Sequence, residues 1–290
     1  MSVPGKVAVV AVAATDQVLA FNTTTGVWVA QQATGLTNSD RVLAEGNIVI
    51  VAVAATQQVL GFSAITGAWT AHQATGLTNL DQAAIGGNVG VVAVAATDQV
   101  LAFRASTGTW VSHQATGLTN ADKVVARDNI AVVAVAATSQ VLGFSALTGA
   151  WTNHQATGLT NADLIAAGSD VAIVAVAATD QVLGYRSSTG AWVSHQATGL
   201  VNADRITAAD NVGIVAVAAT DQVLGFSAIT GAWTNHQATG LVNADLIAAG
   251  TDVGVVAVAA TDQVLAYRSS NGAWVSHQAT GLTNFDKVFA

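Results

Sequence analysis

The sequence predicts an all-β fold built from seven repeats, and the first observation that predicts it is a fixed period. Seven tryptophans are each separated from the next by 41 residues, and a period of about 40 residues is typical of repeat architectures. Seven units of 41 residues account for 287 of the 290 residues, so residues 1–290 are expected to form a single domain. The tryptophans are Trp28, Trp69, Trp110, Trp151, Trp192, Trp233 and Trp274.

The second observation is that each repeat contains four runs with the length and composition of β-strands. In the fourth copy these runs are residues 129–137, 140–145, 151–155 and 163–167, and Thr148-Gly149 has the chemistry of an antiparallel turn. No segment shows the 3.6-residue periodicity of a helix. Four antiparallel strands in about 40–45 residues make one β-propeller blade. The predicted fold is therefore a closed seven-bladed β-propeller with four antiparallel strands per blade.

The two chain ends predict how the ring closes. The chain opens in the long apolar strand at residues 7–14, and its last segment, 284–290, matches 243–249 of the preceding copy. The first blade thus lacks one strand and the C-terminus carries a spare one, so we expect the C-terminal strand to pair with the N-terminal blade and remove an open edge. An open solenoid is the alternative, but it needs polar caps that this chain does not display. The side chains expected to become buried by closure are Phe285, Val288 and Phe289.

Composition excludes several classes of function. The net charge of −8 and only nine Lys and Arg residues argue against nucleic acid as a partner. With no cysteine there is no disulfide, no thiolate metal site and no cysteine nucleophile. No apolar run approaches the roughly 20 residues of a membrane span, so no membrane insertion is expected. The run after Lys6 resembles a signal peptide but recurs in every repeat, so we expect a soluble protein that is cytoplasmic or released by a non-classical route.

The copies differ from one another in an orderly way. Before their tryptophans, alternate copies carry serine or arginine, which gives the array a two-blade superperiod. The serines are Ser63, Ser145 and Ser227, and the arginines are Arg104, Arg186 and Arg268. The first copy diverges, with Asn22 at this position and Gln31 where the other six copies have histidine.

Two segments do not vary among the copies: Thr-x-Gln after the apolar strand, and Gln-Ala-Thr-Gly-Leu-x-Asn-x-Asp, which is residues 32–40 in the first copy. In a propeller blade both belong to one face, which we call the loop face. The serine or arginine position belongs to the opposite face, which we call the turn face. One face therefore repeats without change while the other varies, and binding pockets are predicted on the loop face.

Several polar positions allow both a structural and a functional interpretation. The tryptophans either dock one blade on the next or stack on a ligand. The aspartates that begin the innermost strands either accept loop N–H hydrogen bonds or coordinate an axial cation. The histidines either pack or line a groove, and because they lie 41 residues apart, no two can share a zinc ion. No metal and no cofactor are expected.

Catalysis is not expected either. A catalytic centre needs unlike residues that converge at one place, whereas here every candidate is copied around the array. The loops are short and uniform, and no glycine-rich phosphate loop is present.

The Gly-x-Trp segment resembles the blade motif of quinoprotein-type propeller repeats, although its spacing is shorter. A quinoprotein-like enzyme is disfavoured by the short loops. Amide, carboxylate, hydroxyl and imidazole groups beside an aromatic ring are the chemistry of carbohydrate recognition. With its period, blade count and uniform loops, the chain resembles the bacterial seven-bladed β-propeller lectins.

This resemblance implies a multivalent carbohydrate-binding protein with repeated sugar pockets between blades, glycans as partners, and an oligomer as a possibility. The alternative is a non-enzymatic scaffold for protein interactions. In the predicted pockets Gln and Asn are paired donors and acceptors, Asp is a bidentate acceptor and His is a wall. The predicted sugar-binding residues are Gln58, His72, Asn79, Asp81, Gln99, His113, Asn120, Asp122, Gln140, His154, Asn161, Asp163, Gln181, His195, Asn202, Asp204, Gln222, His236, Asn243, Asp245, Gln263, His277, Asn284 and Asp286.

Overall fold

The structure, a computed structural model, describes residues 6–290 as β-strands joined by turns, loops and single turns of 3₁₀ helix, with no α-helix in that range. The strands form seven antiparallel sheets, of which six have four strands and the first has three. The all-β class, the seven blades and the missing strand of the first blade are therefore as the sequence predicted. Two compact units, Met1–Trp151 and Thr152–Ala290, divide the chain inside a strand of the fourth blade. The single-domain prediction stays a prediction.

In the first unit the blades follow one another along the chain. Within each four-stranded blade the strands are ordered as they occur in the sequence. The strands are β1 (Val7–Val12), β2 (Gln17–Asn22), β3 (Val27–Gln32), β4 (Arg41–Glu45), β5 (Ile48–Val53), β6 (Gln58–Ser63), β7 (Ala68–Gln73), β8 (Gln82–Ile85), β9 (Val89–Val94), β10 (Gln99–Arg104), β11 (Thr109–Gln114), β12 (Lys123–Arg127), β13 (Ile130–Val135), β14 (Gln140–Ser145) and β15 (Ala150–Gln155), whose end lies in the second unit.

The second unit repeats the same pattern through three blades. Its strands are β16 (Leu164–Ala167), β17 (Val171–Val176), β18 (Gln181–Arg186), β19 (Ala191–Gln196), β20 (Arg205–Ala209), β21 (Val212–Val217), β22 (Gln222–Ser227), β23 (Trp233–Gln237), β24 (Leu246–Ala249), β25 (Val253–Val258), β26 (Gln263–Arg268) and β27 (Ala273–Gln278).

In the second to sixth blades, the second strand is rich in valine, isoleucine and alanine because both of its faces are covered. All six residues of β13 are buried, as expected of a run without polar alternation. The run predicted at 129–137 is too long at its C-terminal end, since Ala136–Thr138 form a 3₁₀ turn and Ser139 takes a left-handed conformation with φ of 52°. Aspartate occupies this position in most copies, and Asp tolerates the left-handed region better than most residues.

Neighbouring blades of one unit bury their apolar side chains against each other. Phe103 and Leu101 of the third blade pack with Ile50 and Val59 of the second in one buried cluster. Phe226 of the sixth blade joins a cluster with the fifth in the same way. Within each unit, the first strands of neighbouring four-stranded blades lie closer together than their outer strands do.

The C-terminal tail corrects one detail of the sequence analysis. Phe285 is 96% exposed and Phe289 is 82% exposed, so the predicted burial of both side chains is wrong for this structure. Phe285 occupies the loop position held by Leu80 in the second repeat, which is also exposed. Residues 287–290 form no strand, although the backbone of Ala290 lies directly against Gly250. Closure of the ring by this tail stays a prediction.

Candidate functional site

The groove between two neighbouring blades is bordered by an aromatic pair. His72 of the second blade lies against Trp110 of the third, with ring centroids 6.3 Å apart and planes inclined by 34°. Trp110 also contacts Phe103 of its own blade at 5.1 Å. Both rings of the pair are half-buried, so they keep an edge open to solvent. The corresponding pairs, 6.1 to 6.3 Å apart, are His113–Trp151, His154–Trp192, His195–Trp233 and His236–Trp274.

The indole nitrogen fixes the same ring to the preceding blade. Trp110 Nε1 donates to the carbonyl oxygen of Thr70 at 3.1 Å, and Trp69 Nε1 donates to that of Val29 at 2.9 Å. Trp151, Trp192 and Trp233 make the equivalent bond to the residue 40 positions earlier. The tryptophan thus docks one blade on the next, which is the first of the two roles considered from the sequence.

Strand alternation places the predicted glutamine and histidine of one repeat on opposite sides of their blade. Phe62 pairs with Trp69 and both face the first blade, so Gln58, four residues before Phe62, faces the first blade as well. His72 faces the third blade, where it meets Trp110. A groove therefore combines the histidine of one repeat with the glutamine of the next.

The groove between the second and third blades shows the resulting set. It brings together His72 from one side and Gln99, Trp110, Ser112 and Gln114 from the other. Gln99 pairs with Gln114 at the end of the sheet that carries the loop face, and Gln114 Nε2 donates to the carbonyl of Thr97 at 3.0 Å. Ser112 and Gln114 are exposed.

Each groove also contains a residue outside the predicted set, two positions after the tryptophan. This position shares the tryptophan's side of the strand and is Ser112, Asn153, Ser194, Asn235 or Ser276 in the last five repeats. The signal was available, because side chains at i and i+2 of a strand point to the same side. The grooves consequently follow the two-blade superperiod.

The predicted aspartates lie in the turn just before the first strand of each blade and are committed to the fold. Asp81 Oδ2 accepts bonds from the Thr78 backbone nitrogen at 2.6 Å and the Thr78 hydroxyl at 3.1 Å, and Oδ1 accepts from the Ala95 nitrogen at 2.9 Å. Asp81 is 2% exposed. The interpretation as acceptors of loop N–H bonds is borne out. The equivalent buried aspartates are Asp122, Asp163, Asp204 and Asp245, whereas Asp286 is exposed.

The asparagines lie at the tip of the same loop. Asn79, Asn120, Asn161 and Asn202 are exposed, and Asn243 and Asn284 are half-buried. The carbonyl of Asn120 accepts a bond from Gln82 Nε2 at 2.8 Å, which ties the loop to the preceding blade. A role for these asparagines in the groove stays a prediction.

The invariant loop is held by further bonds within and between repeats. Asp98 Oδ1 accepts from the nitrogens of Gly117 and Leu118 at 3.0 and 2.9 Å, and Thr97 Oγ1 donates to the carbonyl of Thr75 at 2.9 Å. Gly117 has φ of 82°, so the loop requires glycine there. These bonds give a structural reason for the uniformity of the loop face.

On the turn face, the position that varies between serine, arginine and asparagine makes the same kind of hydrogen bond in each case. Ser63 Oγ donates to the carbonyl of Ala105 at 2.5 Å, Asn22 Nδ2 donates to that of Ala64 at 2.8 Å, and Arg104 Nε donates to that of Ala146 at 2.5 Å. In each case the acceptor lies 42 residues ahead, in the next blade. The superperiod is thus a change of donor within a conserved contact between blades.

Charge in the site is modest. Burial lowers the pKa of His154, so this imidazole stays neutral to more acidic pH than a free histidine. Residues 6–290 contain no group of three or more His, Asp or Glu side chains placed to hold a metal ion. Within the same residues no helix has the length and apolarity needed to cross a membrane.

Comparisons with known proteins add no family. No protein-family model matches the chain, and no curated protein resembles it in sequence. Among solved structures, propeller-type folds resemble it only distantly. The computationally designed Ika8 protein is 16% identical with a TM-score of 0.37, covering 97% of this chain and 86% of Ika8. AztD from Citrobacter koseri is 10% identical with a TM-score of 0.40, covering 97% and 88%. Hsv2 from Kluyveromyces lactis is 9% identical with a TM-score of 0.38, covering 94% of both chains. Likenesses this distant carry no argument, so the fold assignment rests on the strand pairing itself.

Proposed function

We propose that this protein is a multivalent lectin whose sugar sites lie in the grooves between neighbouring blades, where they open on the loop face. The observation that carries the proposal is the half-buried His–Trp pair, which recurs in groove after groove with hydroxyl or amide side chains beside it. An aromatic edge offers a surface to the C–H groups of a sugar ring, and the polar side chains offer donors and acceptors to its hydroxyls.

Each residue type has a defined part in this proposal. In the groove between the second and third blades, Trp110 and His72 form the wall, while Ser112 and the glutamines Gln99 and Gln114 hydrogen-bond the sugar hydroxyls. Asp81 contributes indirectly, because it holds the loop that borders the groove. The asparagines at the loop tip, such as Asn79, are exposed and can close over the edge of a bound sugar.

Repetition supports the proposal energetically. A single millimolar site is worth about −4 kcal/mol, which is too weak for lasting attachment to a surface. Several such sites on one chain raise avidity by roughly 10²- to 10⁴-fold when the glycan surface is itself multivalent. No catalytic step is part of the proposal, because imidazole with hydroxyl or amide groups recurs in groove after groove, whereas a catalytic centre needs unlike residues that converge at one place.

The proposal is tested by glycan-array binding together with haemagglutination. We expect binding to a restricted set of glycans and inhibition of haemagglutination by one free monosaccharide. A flat array without inhibition would count against the lectin and in favour of the protein-interaction scaffold.

A further inference from the structure

A cleft opens on the turn face between the third and fourth blades, away from the loop-face grooves. Its volume is about 260 Å³, which is below the roughly 300–1,000 Å³ of clefts that hold drug-sized ligands, so it suits a smaller group. Its lining consists of Asn88, Arg104, Ser106, Asn129, Ala146 and Leu147.

The guanidinium of Arg104 is held in the cleft by two hydrogen bonds, neither of which neutralises its charge. Arg104 Nε donates to the Ala146 carbonyl at 2.5 Å and Nη2 donates to the Leu147 carbonyl at 3.0 Å. Both acceptors are neutral oxygens, and the guanidinium has further N–H groups beyond these two. An arginine that is already positioned by its neighbours loses little freedom when it binds an anion.

The polar lining is uncharged and has a fixed orientation. Asn47 Nδ2 donates to Asn88 Oδ1 at 2.7 Å, and Asn88 Nδ2 donates to Asn129 Oδ1 at 3.0 Å. This chain of amides crosses three blades and fixes which atom each amide presents. Ser106 adds a hydroxyl. The nearby carboxylate of Asp128 is directed toward Gly87 and is not part of the lining.

We propose that this cleft is a carboxylate-binding site, in which Arg104 pairs with the anion while Ser106 and the asparagine amides bond its remaining polar groups. A carboxylate is a planar anion whose two oxygens match the fork of N–H groups on a guanidinium. The shared chemistry fits a simple organic acid and an acidic sugar alike. The site depends on the turn face alone, so it stands or falls independently of the proposed sugar grooves.

The protein contains its own control between the fifth and sixth blades. There Arg186 makes the same two bonds, from Nε to the Ala228 carbonyl at 2.7 Å and from Nη2 to the Ile229 carbonyl at 3.1 Å. Asp170, however, stands where the third blade has Asn88, and its Oδ1 accepts a bond from Ser187 Oγ at 2.7 Å. An internal carboxylate at this position disfavours a second anion, so we expect this cleft not to bind one.

The test is an NMR titration that follows the arginine Nε–H signals of the full chain with sodium acetate, sodium glucuronate and glucose as probes. We expect at least one of the two carboxylates to shift the Arg104 signal saturably, with the Arg186 signal unmoved and glucose without effect. Binding of both carboxylates assigns the site to organic acids in general, and binding of glucuronate alone assigns it to acidic sugars.

Three variants complete the test. Arg104→Ser, which installs the residue of the alternate blades, removes a charge-assisted bond and should weaken binding by about tenfold or more. Binding to all three variants is followed by the backbone N–H signal of Ser106, which lines the cleft. Asn88→Asp, which copies the fifth blade, should weaken it similarly, whereas Arg186→Ser should leave it unchanged. The proposal is overturned if the Arg104 signal does not move with either carboxylate, if glucose moves it equally, or if Arg104→Ser and Arg186→Ser have the same effect.

Discussion

The imidazole of His72 and the indole of Trp110 belong to successive blades, yet their ring centroids lie only 6.3 Å apart. The indole is anchored at its nitrogen by the Thr70 carbonyl and on its inner side by Phe103. The imidazole therefore rests on a ring that cannot move independently of the blade contact. A single arrangement thus joins the blades and shapes the groove between them, and it repeats because the 41-residue unit repeats.

The first prediction concerns one groove. His72→Gln should remove one sugar site, because it deletes the wall of the groove between the second and third blades. Glutamine already occupies this position in the first repeat as Gln31, so we expect the fold to tolerate it, with a loss of no more than about 0.5–1.5 kcal/mol for the ring contact. Calorimetric titration with the inhibiting monosaccharide should show one site fewer. Thr230→Ala, an exposed change on the turn face, is the control, and an equal loss of sites in both variants would contradict the assignment.

The second prediction separates a structural carboxylate from a sugar ligand. Asp122→Ala should lower the free energy of unfolding by about 2–4 kcal/mol, because it leaves the Thr119 and Ala136 donors without their charged acceptor. Among the described residues, the exposed Asp286 accepts only from Thr283, so Asp286→Ala should cost less than about 1 kcal/mol. Urea denaturation of the two variants measures the difference. Equal losses would show that the buried aspartates do not hold the loops.

The third prediction concerns the two-blade superperiod. Gly67 and Gly149 have the same conformation, with φ of 72° and 73°, but a Cβ on Gly67 meets nothing within 4 Å whereas one on Gly149 lies 2.5 Å from Arg104 Nη1. Gly67→Ala should cost about 1–2 kcal/mol through the left-handed backbone alone, and Gly149→Ala about 1–3 kcal/mol more through displacement of Arg104.

Thermal denaturation of these variants provides the measurement, and a double variant provides the control. Adding Arg104→Ser to Gly149→Ala should remove the extra cost, because serine does not reach the glycine of the next blade. If the two glycine variants were equally stable, the arginine would not be seated on the turn.

The fourth prediction is a loss of stability in alkali that two tyrosines cause. Burial raises the pKa of Tyr185 to about 12, against a smaller lowering by the Thr152 side chain, and burial also raises the pKa of Tyr267. Because the folded pKa lies above the unfolded value of 10.0, the stabilisation is present below pH 10 and is lost as the pH rises toward 12. For Tyr185 the full loss is on the order of 2–3 kcal/mol.

Absorbance at alkaline pH and urea denaturation between pH 9 and about 12 check this prediction. The double variant Tyr185→Phe, Tyr267→Phe should lose less stability over this range, and it places at both sites the residue that the fourth and sixth repeats carry as Phe144 and Phe226. Tyrosines that ionise near pH 10 in the folded protein would contradict the burial.

Most of the fold could be predicted from the sequence because the residues that define a blade recur every 41 positions. The spacing of the tryptophans gave the number of blades, and the turn chemistry gave the four strands. Of the roles that the sequence left open for Asp81, the structure shows the acceptance of loop N–H bonds. The predicted strand ran past the end of β13 because apolar residues continue beyond Val135. The 3₁₀ turn that begins at Ala136 ends the strand there.

The candidate site was less predictable, since it is assembled from two repeats. That Gln58 and His72 face different neighbours follows from strand alternation and could have been foreseen. The contact between Arg104 and Gly149 could not, because it depends on how closely two blades approach each other at the turn face. Comparison of the repeats shows which positions vary together, but it does not show which atoms are in contact.

Binding of sugars in the grooves between blades is tested most directly by a crystal structure of the protein soaked with the inhibiting monosaccharide. We expect sugar density beside the His–Trp pairs, within hydrogen-bond distance of Ser112 or Asn153 and their equivalents, in several grooves of each molecule. Sugar density confined to the turn face, or bound nowhere near these pairs at saturating concentration, would contradict the claim.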